Sequence, residues 1–423
     1  MRPHPLTIVV AVGAILGFSF AAVSTYDFVA HLDRQVHGIH CSFLPGMGTV
    51  DASGSSGCHV TLMSPYSSVF RQGIWGGIPV SLPAMAVFGF ILFWAAALVL
   101  LRRQNDTRAT GFLALASLLP ALASVVMAAI SFGTLGTACK LCVGIYVSSA
   151  LLLGGAVGLW LQARKASALA TPPGPGDPHA QTVAVAQPRM GLAPLAGAFF
   201  LGVAMVAVST VAYAAAAPDY SEYVGACGQL EQPNAPRGVL IPMGGSGSGL
   251  DAVEVLDPLC PACRGFERRL EASGLSDELA RKALLFPLDS ECNWMVDEPI
   301  HAGACTISEA LLCAEAEQDA VLEWAFENQE DIRTASEADP EAAEGLVLQK
   351  FPQLEGCLGR PAVRAKLNRG LRWAVDNQFP VLTPQLYVRG VRMCDEDSDL
   401  GMDYALARMI ERVREGTLPT EAP

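Results

Sequence analysis

The chain has 423 residues, of which 51% are hydrophobic and only 16% are charged, and its mean hydropathy is +0.35. This composition is too apolar for an ordinary soluble protein and indicates a membrane part joined to a soluble part. The net charge of −13 is concentrated beyond residue 216, where 36 acidic residues accompany 18 lysines and arginines. So acidic a C-terminal half argues against nucleic acid as a partner.

Five apolar segments approach the roughly 20 residues that a membrane-spanning helix needs. They cover residues 6–25, 79–101, 111–133, 141–162 and 191–214. The first segment has a second interpretation as a cleaved signal peptide, because Arg2 precedes it and small residues follow it. Without cleavage, the segment is the first span.

Basic residues predict the orientation of these spans, since Lys and Arg accumulate in cytoplasmic loops. Three arginines within 102–108 flank one connection, and three basic residues within 164–189 lie in another, so both connections are expected inside. The N-terminus is then also inside. The segments predicted to face outward are residues 26–78, the 134–140 connection and everything after 215.

All twelve cysteines fall on the predicted outer face or at its membrane boundary. An even number of cysteines confined to that side indicates an oxidising compartment and disulfide chemistry. Paired CxxC motifs can also bind zinc. Here, however, one pair adjoins a membrane helix, and the other follows a predicted strand more than a hundred residues later. We therefore predict no metal site.

Residues 163–190 are rich in Pro, Ala and Gly, and their lack of helical periodicity predicts a flexible cytoplasmic linker. Together with the fifth span, this linker returns the chain to the outer side. The predicted domain plan is a membrane domain at 1–162, the linker at 163–190, a linking helix at 191–214 and an extracytoplasmic domain at 217–423.

The C-terminal half has the pattern of an α/β fold. RGVLIPMG (237–244), DAVEVLDP (251–258) and KALLFPLD (282–289) predict strands, and a helical block follows at about 303–378. TPQLYVRGVRM predicts two short strands around a turn, and YALARMIERVREG predicts a closing helix. The GGSGSG run has no GK[ST] after it and predicts a connection rather than a phosphate loop.

The stretch LDPLCPACRGF places Cys260 and Cys263 between a predicted strand and a predicted helix. Unpaired N–H groups and the helix dipole at a helix N-terminus stabilise a thiolate and lower the pKa of its cysteine. Cys260 is therefore the predicted nucleophile, and Cys263 is the resolving thiol. The alternative is a structural disulfide, although so short a ring gains little stability from chain entropy.

This stretch resembles the thioredoxin superfamily, and the helical block between KALLFPLD and TPQLYV makes residues 235–415 similar to its DsbA-like members. Thr383-Pro384 stands where that family carries a cis-proline beside the CxxC motif. The resemblance implies a thioredoxin fold with a helical insertion. It also implies that Thr383 and Pro384 receive the substrate peptide.

Several features follow one another in the membrane half. They are Cys41 and Cys58 in the first outer loop, Ser64 six residues later, GIPVSLPAM at the second span, and CKLC (Cys139 and Cys142) with Tyr146 at the fourth. This order and spacing resemble the vitamin K epoxide reductase family over residues 1–160. The resemblance implies an all-α membrane bundle. Bacterial members of that family carry a fused thioredoxin-like domain and pass electrons from it to a membrane quinone.

The resemblance also implies roles for single residues. Cys142 would act on a quinone of the ubiquinone or menaquinone class, and Cys139 would exchange with the loop. Cys41 and Cys58 would carry electrons inward, while Ser64 and Tyr146 would line the quinone pocket. Other interpretations remain open, namely a helix N-cap for Ser64, an interfacial aromatic for Tyr146 and inert buried thiols for CKLC.

Six further cysteines lie in the C-terminal half, and they allow fifteen connectivities. Structural bridges between Cys292 and Cys305 and between Cys313 and Cys357 would be local, which leaves Cys227 for Cys394. A second redox pair among these six is the alternative.

These patterns predict a multi-pass thiol oxidase of the bacterial inner membrane that makes disulfide bonds de novo. Reduced secreted or periplasmic proteins would give electrons to the CPAC pair, and the loop pair and CKLC pair would pass them to quinone. One alternative is a carrier of reducing equivalents to an isomerase, which the lack of predicted cytoplasmic cysteines disfavours. Another is a non-enzymatic receptor or transporter with a disulfide-stapled sensor domain, for which no quinone dependence is expected.

Overall fold

The computed structural model describes residues 3–33, 57–169, 189–244 and 249–418. Within these ranges, a bundle of long apolar helices is followed by a domain built on a mixed β-sheet. The predicted loop cysteine Cys41 and most of the predicted linker lie outside the described residues.

The described part of the membrane half contains six α-helices. They are α1 (Pro5–Ala30), α2 (Gly57–Leu62), α3 (Ser81–Leu100), α4 (Thr107–Ala129), α5 (Lys140–Leu169) and α6 (Leu192–Ala216). All except the short α2 are long and apolar enough to cross a membrane. These five candidate spans overlap the five predicted segments and support a multi-pass membrane protein, although α5 continues to Leu169, within the predicted linker.

Helices α1 and α5 cross at close range because glycines lie where they touch. A β-carbon at Gly13 would come within 2.9 Å of the Leu152 backbone nitrogen, and one at Gly155 would come within 2.9 Å of the Val10 side chain. Small residues let helix backbones approach closely in a membrane, where packing stabilises the bundle. Val10 and Leu152 are fully buried, so α1 packs as an integral helix of the bundle.

Helix α6 lies at the edge of the bundle, where it packs against α3. Ala198 is its one buried residue. The Asp106 carboxylate ties the start of α6 to α4, because it caps α4 by accepting the Arg108 and Ala109 N–H groups and also accepts the Met190 N–H.

The strands form a short hairpin and one five-stranded sheet. The hairpin is β1 (Ser68–Val69) with β2 (Ile78–Pro79), and the sheet contains β3 (Leu240–Pro242), β4 (Leu250–Leu256), β5 (Leu279–Leu285), β6 (Gln385–Val388) and β7 (Val391–Arg392). Their order is β3-β5-β4-β6-β7, and the β4–β5 pair is parallel whereas the other pairs are antiparallel. β4 is therefore the central strand.

Seven helices accompany this sheet. They are α7 (Pro261–Ser273), α8 (Ala304–Cys313), α9 (Gln318–Glu327), α10 (Gln329–Ala338), α11 (Ala342–Lys350), α12 (Pro361–Asp376) and α13 (Met402–Glu415). Helices α7 and α13 share one hydrophobic cluster with Ala252 of β4, whereas α12 packs with Val255 of the same strand. Because successive side chains of a strand point to opposite faces, the sheet has helices on both sides. We call the residues after α6 the sheet domain, and its architecture is compatible with a thioredoxin-like fold.

Several predicted elements differ in their limits from the observed ones. The third predicted strand, 282–289, is shifted: β5 ends at Leu285, before Pro287, which has no N–H to donate to a ladder. The predicted helical block is divided into the five helices α8 to α12. The predicted turn near the C-terminus is made by Arg389 and Gly390, whose positive φ values suit the two-residue hairpin between β6 and β7.

The sheet domain packs directly on the outer loop of the membrane half. Trp75 is buried and makes edge contacts with the rings of Tyr220 and Tyr404, at centroid distances of 5.0 and 5.7 Å. A β-carbon at Gly401 would lie 2.4 Å from the Trp75 ring, so glycine is needed there. Arg71 forms an ion pair with Asp403 at 3.5 Å. These contacts, together with a hydrogen bond from the Gln72 side chain to the Ser273 carbonyl, place α13 and the C-terminal end of α7 against the outer loop.

Candidate active site

The CPAC dithiol lies at the end of the central strand, where α7 begins. Cys260 is the N-cap residue of α7, and Pro261 occupies its first turn. Proline is favoured there because its φ suits a helix and its missing N–H would have no helical partner. Cys260 is 5% exposed and Cys263, one turn further on, is fully buried. Both are free thiols.

The two thiols have opposite acidities. The hydrogen bond from the Cys263 thiol lowers the pKa of Cys260 to about 6; the Thr383 side chain adds to this effect, whereas burial and the Asp257 charge oppose it. Burial, reinforced by the neighbouring Cys260, raises the pKa of Cys263 well above its ordinary value. The pair therefore holds one thiolate and one thiol near neutral pH, which is the arrangement that thiol exchange uses.

The Thr383-Pro384 peptide bond is cis and lies beside the CPAC pair. The Sγ of Cys260 is 3.6 Å from the backbone oxygen of Thr383. This approach follows from the sheet, since β6 begins at Gln385 and pairs with β4, which leads into Cys260. The four residues that the sequence analysis selected in this half thus lie together.

A buried ion cluster along β4 and α7 was not identified from the sequence. Glu254 is fully buried and lies 3.5 Å from Arg281, which also pairs with Glu267 at 2.6 Å. Burial and the adjacent Glu267 charge raise the pKa of Glu254 well above its ordinary value. The sequence did contain one indication of this cluster. An acidic residue stands inside the apolar strand DAVEVLDP, and a buried carboxylate requires a partner.

His301 was also missed. Its Nδ1 lies 2.7 Å from Oδ2 of Asp257, the residue three positions before Cys260. The 44 residues that separate the two side chains in sequence hide this pairing, and no spacing rule would have revealed it.

The second dithiol lies at the start of α5. Cys139 directly precedes the helix and is buried, whereas Cys142 is partly exposed in its first turn, and both are free thiols. The Cys142 N–H points to the Cys139 sulfur at 3.4 Å. Cys58 of α2 packs in the same small cluster as Cys139 and Leu141. Cys58 itself is disulfide-bonded, and its partner lies outside the described residues.

An apolar cavity of about 550 Å³ adjoins these cysteines among α1, α3, α4 and α5. Cys58, Cys139, Cys142 and Tyr146 all contribute to its wall. A neighbouring groove of about 640 Å³ between α3, α4 and α6 shares Val87, Leu119 and Val206 with it, so apolar space continues to the edge of the bundle. The structure thus places one loop cysteine, the CKLC pair and Tyr146 around one chamber.

Ser64 does not belong to that wall. The side chain is buried, and its hydroxyl donates a hydrogen bond to the Thr61 carbonyl at 2.8 Å. Thr61 and Ser67, on either side of it in sequence, do line the cavity. Among the described residues no helix begins at Pro65 either, so Ser64 closes the end of α2 rather than capping the start of a helix.

The six other cysteines form three bridges in the sheet domain. Cys227 bonds to Cys394, Cys292 to Cys305, and Cys313 to Cys357, with S–S distances of 2.00, 2.08 and 2.06 Å. Within the described residues, one group of side chains, Cys227, Cys394 and Glu396, has the spacing of metal ligands. Its sulfurs are bonded to each other, so they offer no thiolate to a metal.

Comparison with known proteins agrees with the geometry of the membrane half. Residues 8–157 match the family model described as the vitamin K epoxide reductase family. This match supports a protein of that family and, with it, membrane oxidoreductase activity involving disulfides and quinone. The family model ends before α6 and the sheet domain. No curated protein and no solved structure matches the chain.

Proposed function

We propose that this protein is a quinone-dependent thiol oxidase that forms disulfide bonds de novo in reduced secreted proteins. The observation that carries the proposal is the single chamber around which Cys58, Cys139 and Cys142 lie. A membrane dithiol that borders both an apolar cavity and a loop cysteine can communicate with a lipid-soluble oxidant on one side and protein thiols on the other.

The chamber suits a quinone in size and polarity. Its volume falls within the range of about 300–1,000 Å³ that is typical of small-ligand sites. Its apolar walls fit an aromatic ring, and Tyr146 and Cys142 supply polar groups. These two residues would hold the quinone, which would accept two electrons and two protons when bound. The adjoining groove gives an apolar substituent room to extend towards lipid.

The protein's own cysteines would perform the exchange steps. In the disulfide form of CPAC, a client thiolate attacks the Cys260 sulfur, and Cys263 leaves. The second client thiolate then breaks the mixed disulfide and releases Cys260, so the client loses two electrons and CPAC gains them. The Cys260 thiolate next attacks Cys41 in the disulfide of the loop pair, Cys41 and Cys58, and Cys58 leaves. Cys263 then breaks the mixed disulfide, so CPAC becomes a disulfide again and both loop cysteines are reduced.

The reduced loop pair would then pass the electrons to CKLC: Cys58 attacks Cys139, Cys142 leaves as a thiolate, and Cys41 then breaks the Cys58–Cys139 bond. Flow towards the membrane requires that the reduction potential rise at each step, and about 30 mV corresponds to 1.4 kcal/mol for a two-electron couple. In this proposal the sheet domain would lie on the outer side of a bacterial inner membrane, the side on which secreted clients emerge unfolded and reduced.

The purified full-length protein in detergent micelles tests the proposal. A reduced peptide with two cysteines is supplied without oxygen, and disulfide formation is measured with and without a soluble quinone. We expect multiple turnover with quinone alone, loss of turnover in Cys142→Ala, and no change in Lys282→Gln, whose half-exposed ammonium lies on the sheet surface. Equal oxidation of the peptide without quinone would refute the assignment.

A further inference from the structure

Asp257 connects the CPAC pair to a histidine from a distant loop. Its backbone oxygen accepts the Cys260 N–H at 3.1 Å. Its side chain is fully buried and accepts three hydrogen bonds at 2.7 Å each, from the Leu259 N–H, the Leu288 N–H and His301 Nδ1. The two backbone N–H groups fix the carboxylate in place, so it presents a fixed acceptor to the imidazole.

This hydrogen bond also decides which nitrogen of His301 titrates. Because the Asp257 carboxylate accepts from Nδ1, that nitrogen carries a proton, and Nε2 is left to gain or lose the second one. Only 8% of the His301 side chain is exposed. The imidazole is therefore buried and fixed in orientation by Asp257, and its Nε2 can still be protonated.

The loop that carries His301 is fixed at both ends. The Cys292–Cys305 disulfide closes it. The Asp289 carboxylate accepts the Glu291 and Gly303 N–H groups inside it, and the His301 N–H bonds to the Leu288 carbonyl. The position of the imidazole next to the end of β4 is thus set by the covalent and hydrogen-bonded frame of the loop.

Charged groups from three elements face His301. They are Asp257 at the end of β4, Cys260 at the start of α7 and Arg333 of α10. Burial opposes protonation and Arg333 adds to that effect, but the hydrogen bond and charge of Asp257, together with the Cys260 thiolate, outweigh them and raise the pKa of His301. The protonated state is thus favoured most when Cys260 is a thiolate.

We propose that His301, oriented by Asp257, is the positioning residue that compensates the charge of the Cys260 thiolate and takes up one of the two protons when the CPAC disulfide is reduced. This inference rests on the proposed function in so far as CPAC is the exchanging pair. CPAC itself has only Pro261 and Ala262 between its cysteines and so carries no charge of its own.

Reduction of the CPAC disulfide transfers two electrons and two protons from the client. A client dithiol loses two electrons and two protons and becomes a disulfide. The Cys260–Cys263 bond breaks, Cys263 receives one proton as a thiol, and His301 Nε2 receives the other. Cys260 remains a thiolate beside the imidazolium. When the thiolate later attacks the loop disulfide, the imidazolium loses its partner and releases the proton to solvent.

The test measures the reactivity of Cys260 in the full-length protein in detergent after mild reduction. Iodoacetamide labelling of the Cys260 peptide is followed by mass spectrometry from about pH 5 to about pH 9, a range that includes ordinary and lowered thiol pKa values. His301→Asn keeps an N–H donor for Asp257 but cannot be protonated. Lys282→Gln, which removes a half-exposed cation that pairs with Asp251 from the middle of β5, is the matched control.

We expect the wild-type and Lys282→Gln profiles to share one midpoint near 6. We expect the midpoint of His301→Asn to rise by about one unit, which lowers the thiolate fraction about tenfold below the midpoint. The limiting rate at high pH should be equal or somewhat higher, because a thiolate of higher pKa is the stronger nucleophile. The equilibrium between CPAC and glutathione should shift about tenfold towards the disulfide, or about 30 mV.

Any of three results would overturn the inference. The first is an unchanged midpoint in His301→Asn. The second is a rate lowered by the same factor at every pH, which indicates altered access rather than lost charge. The third is a wild-type midpoint near the ordinary value of about 8.5, which leaves no thiolate to compensate. If His301→Asn does not fold, His301→Gln takes its place. No quinone or client enters the measurement, so it distinguishes this inference from failure of the oxidase proposal.

Discussion

At the scale of single residues, the chemistry depends on unequal thiols placed one helical turn apart. The pKa of Cys260 is lowered because its sulfur accepts a hydrogen bond from the Cys263 thiol, whereas Cys263 stays protonated because it is buried. Only the first can attack or be attacked rapidly at neutral pH. The second acts by resolving whatever Cys260 has bound.

Removal of the resolving thiol should therefore trap the bond that Cys260 forms with the loop pair. We expect Cys263→Ser to accumulate a mixed disulfide between Cys260 and a loop cysteine, because the Cys260 thiolate still attacks the loop disulfide and no Cys263 thiol remains to break the new bond. Non-reducing digestion followed by peptide mapping measures this bond. Cys260→Ser is the control and should form none through this motif, and the absence of the bond in both variants would show that the roles are misassigned.

The Asp257–His301 pair predicts a pH-dependent stability. A raised pKa in the folded state means that protonated His301 stabilises the fold below the unfolded value of about 6.5, and that this contribution is lost as the pH rises through the folded value. We therefore expect the melting-temperature difference between wild type and His301→Asn to be larger at about pH 5.5 than at about pH 8.5. A difference that grows with pH would contradict the pairing.

At the scale of elements, the close crossing of α1 and α5 holds the chamber together, since both helices line it. Gly155 is buried at the crossing, and the adjacent Gly154 faces outward with no atom near its missing β-carbon. The two glycines differ in packing but lie next to each other in the same helix. Replacing either one by alanine changes helix propensity by the same amount, so a difference between the two variants reports on packing alone.

Alanine at these two positions should have opposite effects. Gly154→Ala gains up to about 1 kcal/mol of helix propensity, whereas Gly155→Ala must push against Val10 and the Leu6 backbone and should lose about 1–3 kcal/mol by overpacking. Thermal unfolding in detergent measures both. Equal behaviour of the two variants would mean that the crossing is looser than described.

Features encoded by neighbouring residues could be predicted from the sequence, whereas contacts between distant residues could not. Five spans and the position of each CxxC motif follow from local patterns, because apolar length and strand–cysteine–helix order are written into neighbouring residues. The limits of β5 were wrong because an apolar run through Pro287 reads as strand although proline cannot continue the ladder. The wall of the chamber, the Asp257–His301 pair and the contacts of Trp75 join residues far apart in sequence, so no periodicity encodes them.

At the scale of the whole molecule, side-chain contacts hold the sheet domain against the outer loop, in addition to its covalent connection through α6. Trp75 and Arg71 of the outer loop fit against α13, and Gln72 donates a hydrogen bond to the Ser273 carbonyl at the end of α7. Such docking keeps the CPAC pair at high effective concentration near the membrane half. Transfer between the halves should thus depend on the interface, while exchange with clients should not.

Trp75→Ala separates these two activities. We expect quinone-dependent turnover to fall at least several-fold, because an aromatic anchor buried between Tyr220 and Tyr404 is lost. Exchange between CPAC and glutathione should keep its wild-type rate. The control is Phe70→Ala, whose ring is 73% exposed on the same loop. Unchanged turnover in Trp75→Ala would show that docking does not serve electron transfer.

Electron transfer from the CPAC pair to the membrane dithiol can be measured directly. Fully oxidised protein receives a reduced client without quinone or oxygen, and labelling of Cys139 and Cys142 is then quantified by mass spectrometry. We predict that both thiols become labelled, that Cys260→Ser prevents this, and that quinone added before the label abolishes it. If Cys139 and Cys142 remain oxidised in wild type, or become reduced equally well in Cys260→Ser, electrons do not pass from the sheet domain to the membrane pair.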